Sequence, residues 1–152
     1  VKDEATPFSA ADDATISFDD MVGLKHDVDP SYRMNATWVM NDSTLKSIST
    51  LKDDENRYLW NPSLAEGAPD LILGHNYVID QDMQSIAAGN RSVLFGDFSK
   101  YVIRDVMGFD LLRLDERFAD AFQVAFVAFL RTDGKLIDGG GGAVKALRHL
   151  NT

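Results

Sequence analysis

Residues 92–106 read Ser-Val-Leu-Phe-Gly-Asp-Phe-Ser-Lys-Tyr-Val-Ile-Arg-Asp-Val. Two short runs rich in β-branched and aromatic residues, 93–95 and 101–103, flank a polar interruption that opens at Gly96-Asp97, which is how a strand, a turn and a strand read. The stretch is expected to be a sheet element. Its connection, residues 96–100, is long for a tight hairpin, and Gly96 can supply a positive φ that would strain any residue with a side chain. Nothing in it is a catalytic signature.

On the C-terminal side, residues 109–114 are again strand-like beyond Gly108. The next run is ambiguous. Phe122, Ala125, Phe126, Phe129 and Leu130 recur at helical spacing, while Phe122, Val124, Phe126, Ala128 and Leu130 alternate as one face of a strand. Asp133-Gly134 decides for a strand, because that dipeptide favours a tight hairpin, with Leu136-Ile137 opening the returning strand. Glycines at 139–142 then break the pattern, and residues 143–150 are expected to form a closing helix with Val144, Leu147 and Leu150 on one side.

On the N-terminal side, turn chemistry over 80–92 separates the opening stretch from a strand region made by Leu71, Ile72, Leu73, Tyr77, Val78 and Ile79. Residues 53–70 form an irregular excursion: charged Asp53, Asp54, Glu55 and Arg57, then apolar Tyr58-Leu59-Trp60, then Asn61-Pro62, Gly67 and Pro69. A loop of that length is usually functional or mobile. Before it, a strand over 36–40 leads to a cap at 41–43 and a short helix reaching about residue 52, on which Leu45, Ile48 and Leu51 recur. Another helix is expected over 18–28. Ser17 and Asp20 can cap its first turn, Ile16 and Met21 can staple it, and Asp29-Pro30 stops it. Residues 1–14 lack periodicity and are expected to be a flexible lead-in.

Composition narrows the function classes. A chain of 152 residues fits one domain with a core of its own, and its hydrophobic and charged fractions of 45% and 26% are ordinary for a globular fold. No apolar run approaches the roughly 18 residues of a membrane span, and the opening Val-Lys-Asp-Glu-Ala-Thr-Pro carries no signal-peptide pattern. No membrane partner is expected, with the cytosol as default location. The absence of cysteine excludes a disulfide scaffold, thiol catalysis and cysteine-ligated metals. A net charge of -9, from 24 acidic against 15 basic residues, repels phosphate backbones, so no specific nucleic-acid partner is expected.

Each motif that could carry chemistry has a plainer reading. Glycines 139–142 with Lys145 resemble a phosphate cradle, but the order Gly-Gly-Gly-Gly-Ala-Val-Lys-Ala lacks a Gly-Lys-Ser or Gly-Lys-Thr, and a flexible hinge accounts for it. Asp80 and Asp82 match the first two ligands of a calcium loop, yet Gln84 and Ser85 break the register, which leaves a solvated acidic turn. His26, His75 and His149 are far apart with no second ligand at metal-binding spacing. No Gly-x-Ser-x-Gly or other nucleophile signature is present. No catalytic, cofactor-binding or metal-binding residue is expected.

Taken together, several stretches resemble the C-terminal portion of tailed-bacteriophage major capsid proteins of the Hong Kong 97 type. They are Tyr32-Arg33, residues 36–41, Leu51-Lys52-Asp53, Arg57-Tyr58-Leu59-Trp60, Leu73-Gly74, Asp82-Met83, residues 86–89, residues 95–99 with Tyr101, and Arg131-x-Asp133-Gly134 ahead of Ala143. The most specific piece is Phe-Gly-Asp-Phe-Ser with the preceding Ala-Ala-Gly. The resemblance implies an α+β fold: a small central mixed β-sheet flanked by helices, which is the capsid axial domain, with a β-hairpin extension from the peripheral domain. It places the axial domain at 15–111, peripheral-domain strands at 112–135, and a closing strand and helix at 136–152. It also implies about half of a longer protein, without the family's N-terminal arm, extended loop and spine helix. The chain departs from the pattern at His75-Asn76, where proline is frequent, and at Glu55-Asn56, where glycine is common.

What the resemblance implies is a structural protein of the virion, made in the host cytoplasm, that is not an enzyme, uses no cofactor and has itself as partner in hexamers and pentamers. A related compartment shell fits equally. Arg57, Tyr58 and Trp60 are the expected subunit contacts, since arginine and aromatic side chains make large desolvating anchors; Tyr58 and Trp60 could instead pack under their own loop. Some relatives join subunits covalently through an asparagine and a glutamate, and the positions that correspond here hold Phe122 and Phe129, so no such cross-link is expected. The alternative reading is a small α/β enzyme or ligand-binding domain with residues 53–70 as a lid, for which a pocket lined by histidine and carboxylates would speak.

Overall fold

A computed structural model of the chain describes residues 5–10, 15–60, 70–138 and 142–150. The elements, in chain order, are β1 (Thr6–Ser9), α1 (Phe18–Asp27), α2 (Pro30–Arg33), β2 (Thr37–Met40), α3 (Asp42–Ser49), β3 (Tyr77–Ile79), β4 (Arg91–Gly96), β5 (Tyr101–Leu114), β6 (Ala125–Leu136) and β7 (Val144–Arg148). The fold is α+β. Five strands form a mixed sheet in the order β1-β7-β4-β2-β3, and β5 and β6 form a separate antiparallel ribbon. Within the sheet the outer pairs β1–β7 and β2–β3 are parallel, while β2–β4 and β4–β7 are antiparallel.

The helices begin where side chains meet free amides. Ser17 Oγ accepts from the Asp20 N–H at 3.1 Å and Asp20 Oδ2 accepts from the Ser17 N–H at 2.9 Å, a reciprocal cap that starts α1. Asn41 caps α3 by accepting from the Ser43 N–H at 3.0 Å. Met21 and Leu24 of α1, with Val28 after it, then pack with Trp38, Met40, Phe95 and Leu147 of the sheet into the main core. Leu94, Val144 and Ala146 point to a second cluster with Ala5, Met83 and Ala143. The central strand β4 is thus buried on both faces, from Ser92 through Gly96.

Several expectations are corrected. The two strands of the opening stretch do not pair with each other: β4 lies inside the five-stranded sheet and β5 leaves it to join β6, through a short 3-10 turn over Phe98–Lys100. Residues 144–148 form a strand in place of the closing helix. That strand lies between β1 and β4, and a strand covered on both faces shows an apolar run that spacing alone does not separate from a helix. In the expected lead-in, residues 6–9 form β1 on the edge of the sheet. No hairpin forms at Asp133-Gly134; β6 runs straight through it, opposite Ile103 and Arg104. Ile72 and His75 close a turn rather than extend a strand. Glycines 139–141, the stretch 61–69 of the excursion, and positions 1–4, 11–14 and 151–152 lie outside the described residues.

Gly96 matters because of what lies beside it. A Cβ there would fall 2.1 Å from the Ala143 carbonyl oxygen and 2.6 Å from Val144 Cα, so β4 and β7 can approach only over a bare backbone. Gly96→Ala is expected to cost about 3 kcal/mol, the upper end for overpacking, because the obstructing atoms are backbone and cannot swing aside. Urea unfolding of the two proteins measures it.

Candidate assembly surface

The β5–β6 ribbon leaves large apolar side chains exposed. Register places even-numbered β5 residues on the same face as odd-numbered β6 residues, and a bulge, with 107–109 opposite 130, preserves that phase. In the half near the sheet, one face is charged: Arg104 lies across from Asp133, and Val102 and Val106 lie across from Lys135 and Arg131. Beyond the bulge the character changes. One face carries Leu112, Leu114, Val127 and Phe129 with Asp110, and the other carries Leu111, Phe126 and Leu130 with Arg113. Phe126 is 62% exposed and Phe129 60%. A two-stranded ribbon that leaves apolar side chains on both faces in water is at best marginal alone, and apolar surface gathered in this way marks an interaction site.

Near the ribbon's outer end, Phe122 is 99% exposed and has φ of 54°, a left-handed conformation unusual for a bulky residue. Arg113 and Asp115 form an exposed ion pair at 2.6 Å.

The excursion begins as a tight, ordered turn. Asp53 accepts from the backbone N–H groups of Glu55 at 3.0 Å and Arg57 at 2.8 Å, and from Arg57 Nε at 2.9 Å. The Arg57 N–H hydrogen bond, above all, holds the Asp53 carboxyl below its ordinary range. Asn56 takes the left-handed position at φ 64°. The Arg57 guanidinium, well exposed, also pairs with Glu55, and Tyr58 lies exposed beneath the ammonium of Lys52, 5.0 Å from its ring centre. Trp60 turns inward: its Nε1–H donates to the Leu71 carbonyl at 3.0 Å, and its ring meets the edge of Tyr77 with centroids 6.1 Å apart. Arg57 and Tyr58 therefore face outward together, while Trp60 anchors the loop to the sheet edge. The cleft beside Trp60, about 180 Å³, is lined by Phe18, Met21, Ile48, Leu51, Leu59, Ile72 and Leu73, with no histidine or carboxylate among the described residues.

The histidines occupy three different settings. Ser92 Oγ and His149 Nε2 lie 2.7 Å apart, both fully buried, and tie β4 to the end of the chain with no group presented to solvent. His26 is exposed at the end of α1. His75 stacks edge-on against Phe95, with ring centres 5.1 Å apart. Partial burial holds its pKa below the ordinary value, with further depression from the positive charges of Lys25 and Arg33 against an opposing hydrogen bond donated to the Ala36 backbone. The unfolded chain therefore binds this proton more readily, so stability is undiminished above the ordinary value of 6.5 and falls as the pH drops from there through the lowered folded value. His75→Asn is expected to flatten that acid-side slope, as read from urea midpoints at about pH 7.5 and about pH 5.

Among the described residues no group of three or more histidine and acidic side chains could hold a metal, and no helix is long and apolar enough to cross a membrane. Of the residues expected in the sequence, the structure brings Arg57 and Tyr58 together. The ribbon's exposed faces were not anticipated, because the sequence shows Leu111, Leu112, Phe126 and Phe129 as strand residues without showing what covers them.

The profile of the phage capsid family matches residues 2–147. Among solved structures, the chain is similar to the capsid of the empty GTA particle, with 30% identity and a TM-score of 0.77, and to the capsid of the native GTA particle, with 30% identity and a TM-score of 0.78. Each likeness covers 96% of this chain and 50% of the other. The fold alone is shared with a chain of Gordonia phage Cozz, at 13% identity and a TM-score of 0.62 over 95% of this chain. No curated protein sequence matches. The chain spans half the length of the capsid chains it resembles.

Proposed function

This chain belongs to the phage capsid family, and from that premise we propose that it is the part of a shell protein that builds an icosahedral virus capsid through contacts between identical subunits. The observation that carries this reading is the ribbon, whose outer half leaves large apolar side chains open to solvent on both faces. A shell subunit has two sources of cover for such a surface, the remainder of its own polypeptide and the neighbouring copies, and closed symmetric packing supplies the second.

In this reading residues 15–111 are the axial domain, 112–135 the strands of the peripheral domain and 136–152 the closing segment. The protein is its own partner, in pentamers and hexamers of the virion, after synthesis in the host cytoplasm. Arg57 and Tyr58 make contacts between copies, and Trp60 fixes the loop that presents them. The net charge of -9 suits a shell that does not grip nucleic acid through this segment. The work is structural and calls for no cofactor or metal. The apolar lining of the cleft beside Trp60 supports this over a lid closing on a reactive site.

The polypeptide that carries this chain is expected to sediment as closed particles that electron microscopy resolves as shells; a species that stays monomeric at every concentration and salt would overturn the proposal. With Phe122 and Phe129 at the positions where some relatives cross-link, peptide mass spectrometry of the particles is expected to find subunits joined without isopeptide bonds to this segment. An isopeptide-linked peptide from residues 112–135 would contradict it.

A further inference from the structure

Resting on the reading that copies of this chain pack together, we propose that the acidic turn 53–57 of one copy seats in a basic groove of the next, lined by Lys25, His26, Arg33, Met34 and His75. The groove, about 410 Å³, lies where the end of α1, α2 and the turn before β3 meet. Arg33 is fixed in it. Its Nε and Nη2 donate to the Val28 carbonyl at 3.2 and 2.8 Å, Nη2 donates to the His26 carbonyl at 3.2 Å, and Nη1 approaches His26 Nδ1 at 3.5 Å. Lys25 Nζ donates to the Leu73 carbonyl at 2.9 Å. All these acceptors are neutral, so they hold the two cations in place without cancelling their charge.

The acidic neighbours are engaged elsewhere. Asp27 pairs with Lys145 at 3.1 Å, and Asp29, although close enough to feel Arg33, spends Oδ1 on the N–H and hydroxyl of Ser31. The charges acting on His75 are both positive. In a chain of net charge -9, this groove gathers two half-buried cations, Lys25 and Arg33, beside the exposed His26. Met34, 89% exposed at its lip, adds apolar surface.

The turn is the complement. Asp53, Asp54 and Glu55 outnumber the two cations at the turn, Arg57, which pairs with Asp53 and Glu55, and Lys52, which donates to Asn56 Oδ1 at 2.9 Å, and the hydrogen bonds to Asp53 stiffen the turn before any partner arrives, which limits the ordering cost of docking. Asp54 is exposed and takes no part in those bonds. Contact between two different surfaces of identical copies is head-to-tail, the geometry that closes into rings. Opposite charges at that contact steer the copies into register against the general repulsion of acidic chains.

The test is a charge-swap cycle in the polypeptide that carries this chain, followed by sedimentation velocity. Asp54→Lys and Lys25→Glu are each expected to weaken association about tenfold or more, and the two together to recover most of the loss. Thermal melting checks the fold of each variant. Should Lys25→Glu fail to fold, Met34→Glu replaces it in the cycle, since an exposed lip residue has no bond to lose. Undiminished association of Asp54→Lys, or losses that add without recovery, would overturn this pairing and leave the shell reading standing. An unmodified protein that never associates would overturn both.

Discussion

Phe126→Asp with Phe129→Asp, one charge on each face of the ribbon, is expected to leave the fold of the chain intact and to abolish particle formation. Both rings are mostly exposed, so replacing them removes little packing within the chain. Changes at such positions usually stay within about 0.5 kcal/mol, a shift of no more than about 2 °C in melting temperature for a protein of this size. Covered by another surface, each phenyl contributes roughly 1.5–3 kcal/mol, and an aspartate in its place must also be desolvated. Losing that at every copy lowers each association step by roughly 100-fold or more. Particle yield by sedimentation, set beside the melting temperature, separates the two effects. A variant that assembles normally would mean that the ribbon faces solvent in the shell.

The second large effect belongs to the core. Trp38 is fully buried, its ring lies 4.1 Å from that of Phe95, and its Nε1–H donates to the Ile72 carbonyl at 2.9 Å. It thereby joins the sheet centre to the turn that leads into β3. Trp38→Ala is expected to cost about 3–5 kcal/mol, a large share of the roughly 5–15 kcal/mol available to a domain. Trp38→Phe keeps most of the volume and loses the hydrogen bond, for about 1–3 kcal/mol. Urea unfolding followed by far-ultraviolet circular dichroism should rank the three proteins in that order. Equal midpoints for Trp38→Ala and the unmodified chain would contradict the packing described.

What could be read from sequence was what local chemistry decides. The Ser17 and Asp20 cap, the Asn41 cap and the strands around Trp38 and Phe95 all form where expected, since each depends on residues within a few positions of one another. Errors arose where a distant partner decides. Val144 to Leu147 carry spacing that suits a helix, and become a strand because β1 and β4 flank them. Gly134 reads as a turn residue, yet it sits within β6, where the Tyr101 side chain packs over its bare backbone. The strands of 92–106 are adjacent in sequence and part company because β4 finds its partners in β2 and β7.

The proposed contact surface was legible only in part. Arg57 and Tyr58 stood out by residue type and lie exposed, while Trp60, chosen on the same ground, packs inward. The hairpin extension was expected, but the exposure of its apolar faces escaped notice, because apolar alternation signals burial without saying what does the burying.

Hydroxyl-radical footprinting of Phe122, Phe126 and Phe129, before and after assembly, measures directly whether those rings are covered. The account predicts that all three label readily in the unassembled protein and that Phe126 and Phe129 lose about tenfold or more of their reactivity in particles, as burial beneath another surface requires. Equal labelling of Phe126 and Phe129 in both states would contradict it.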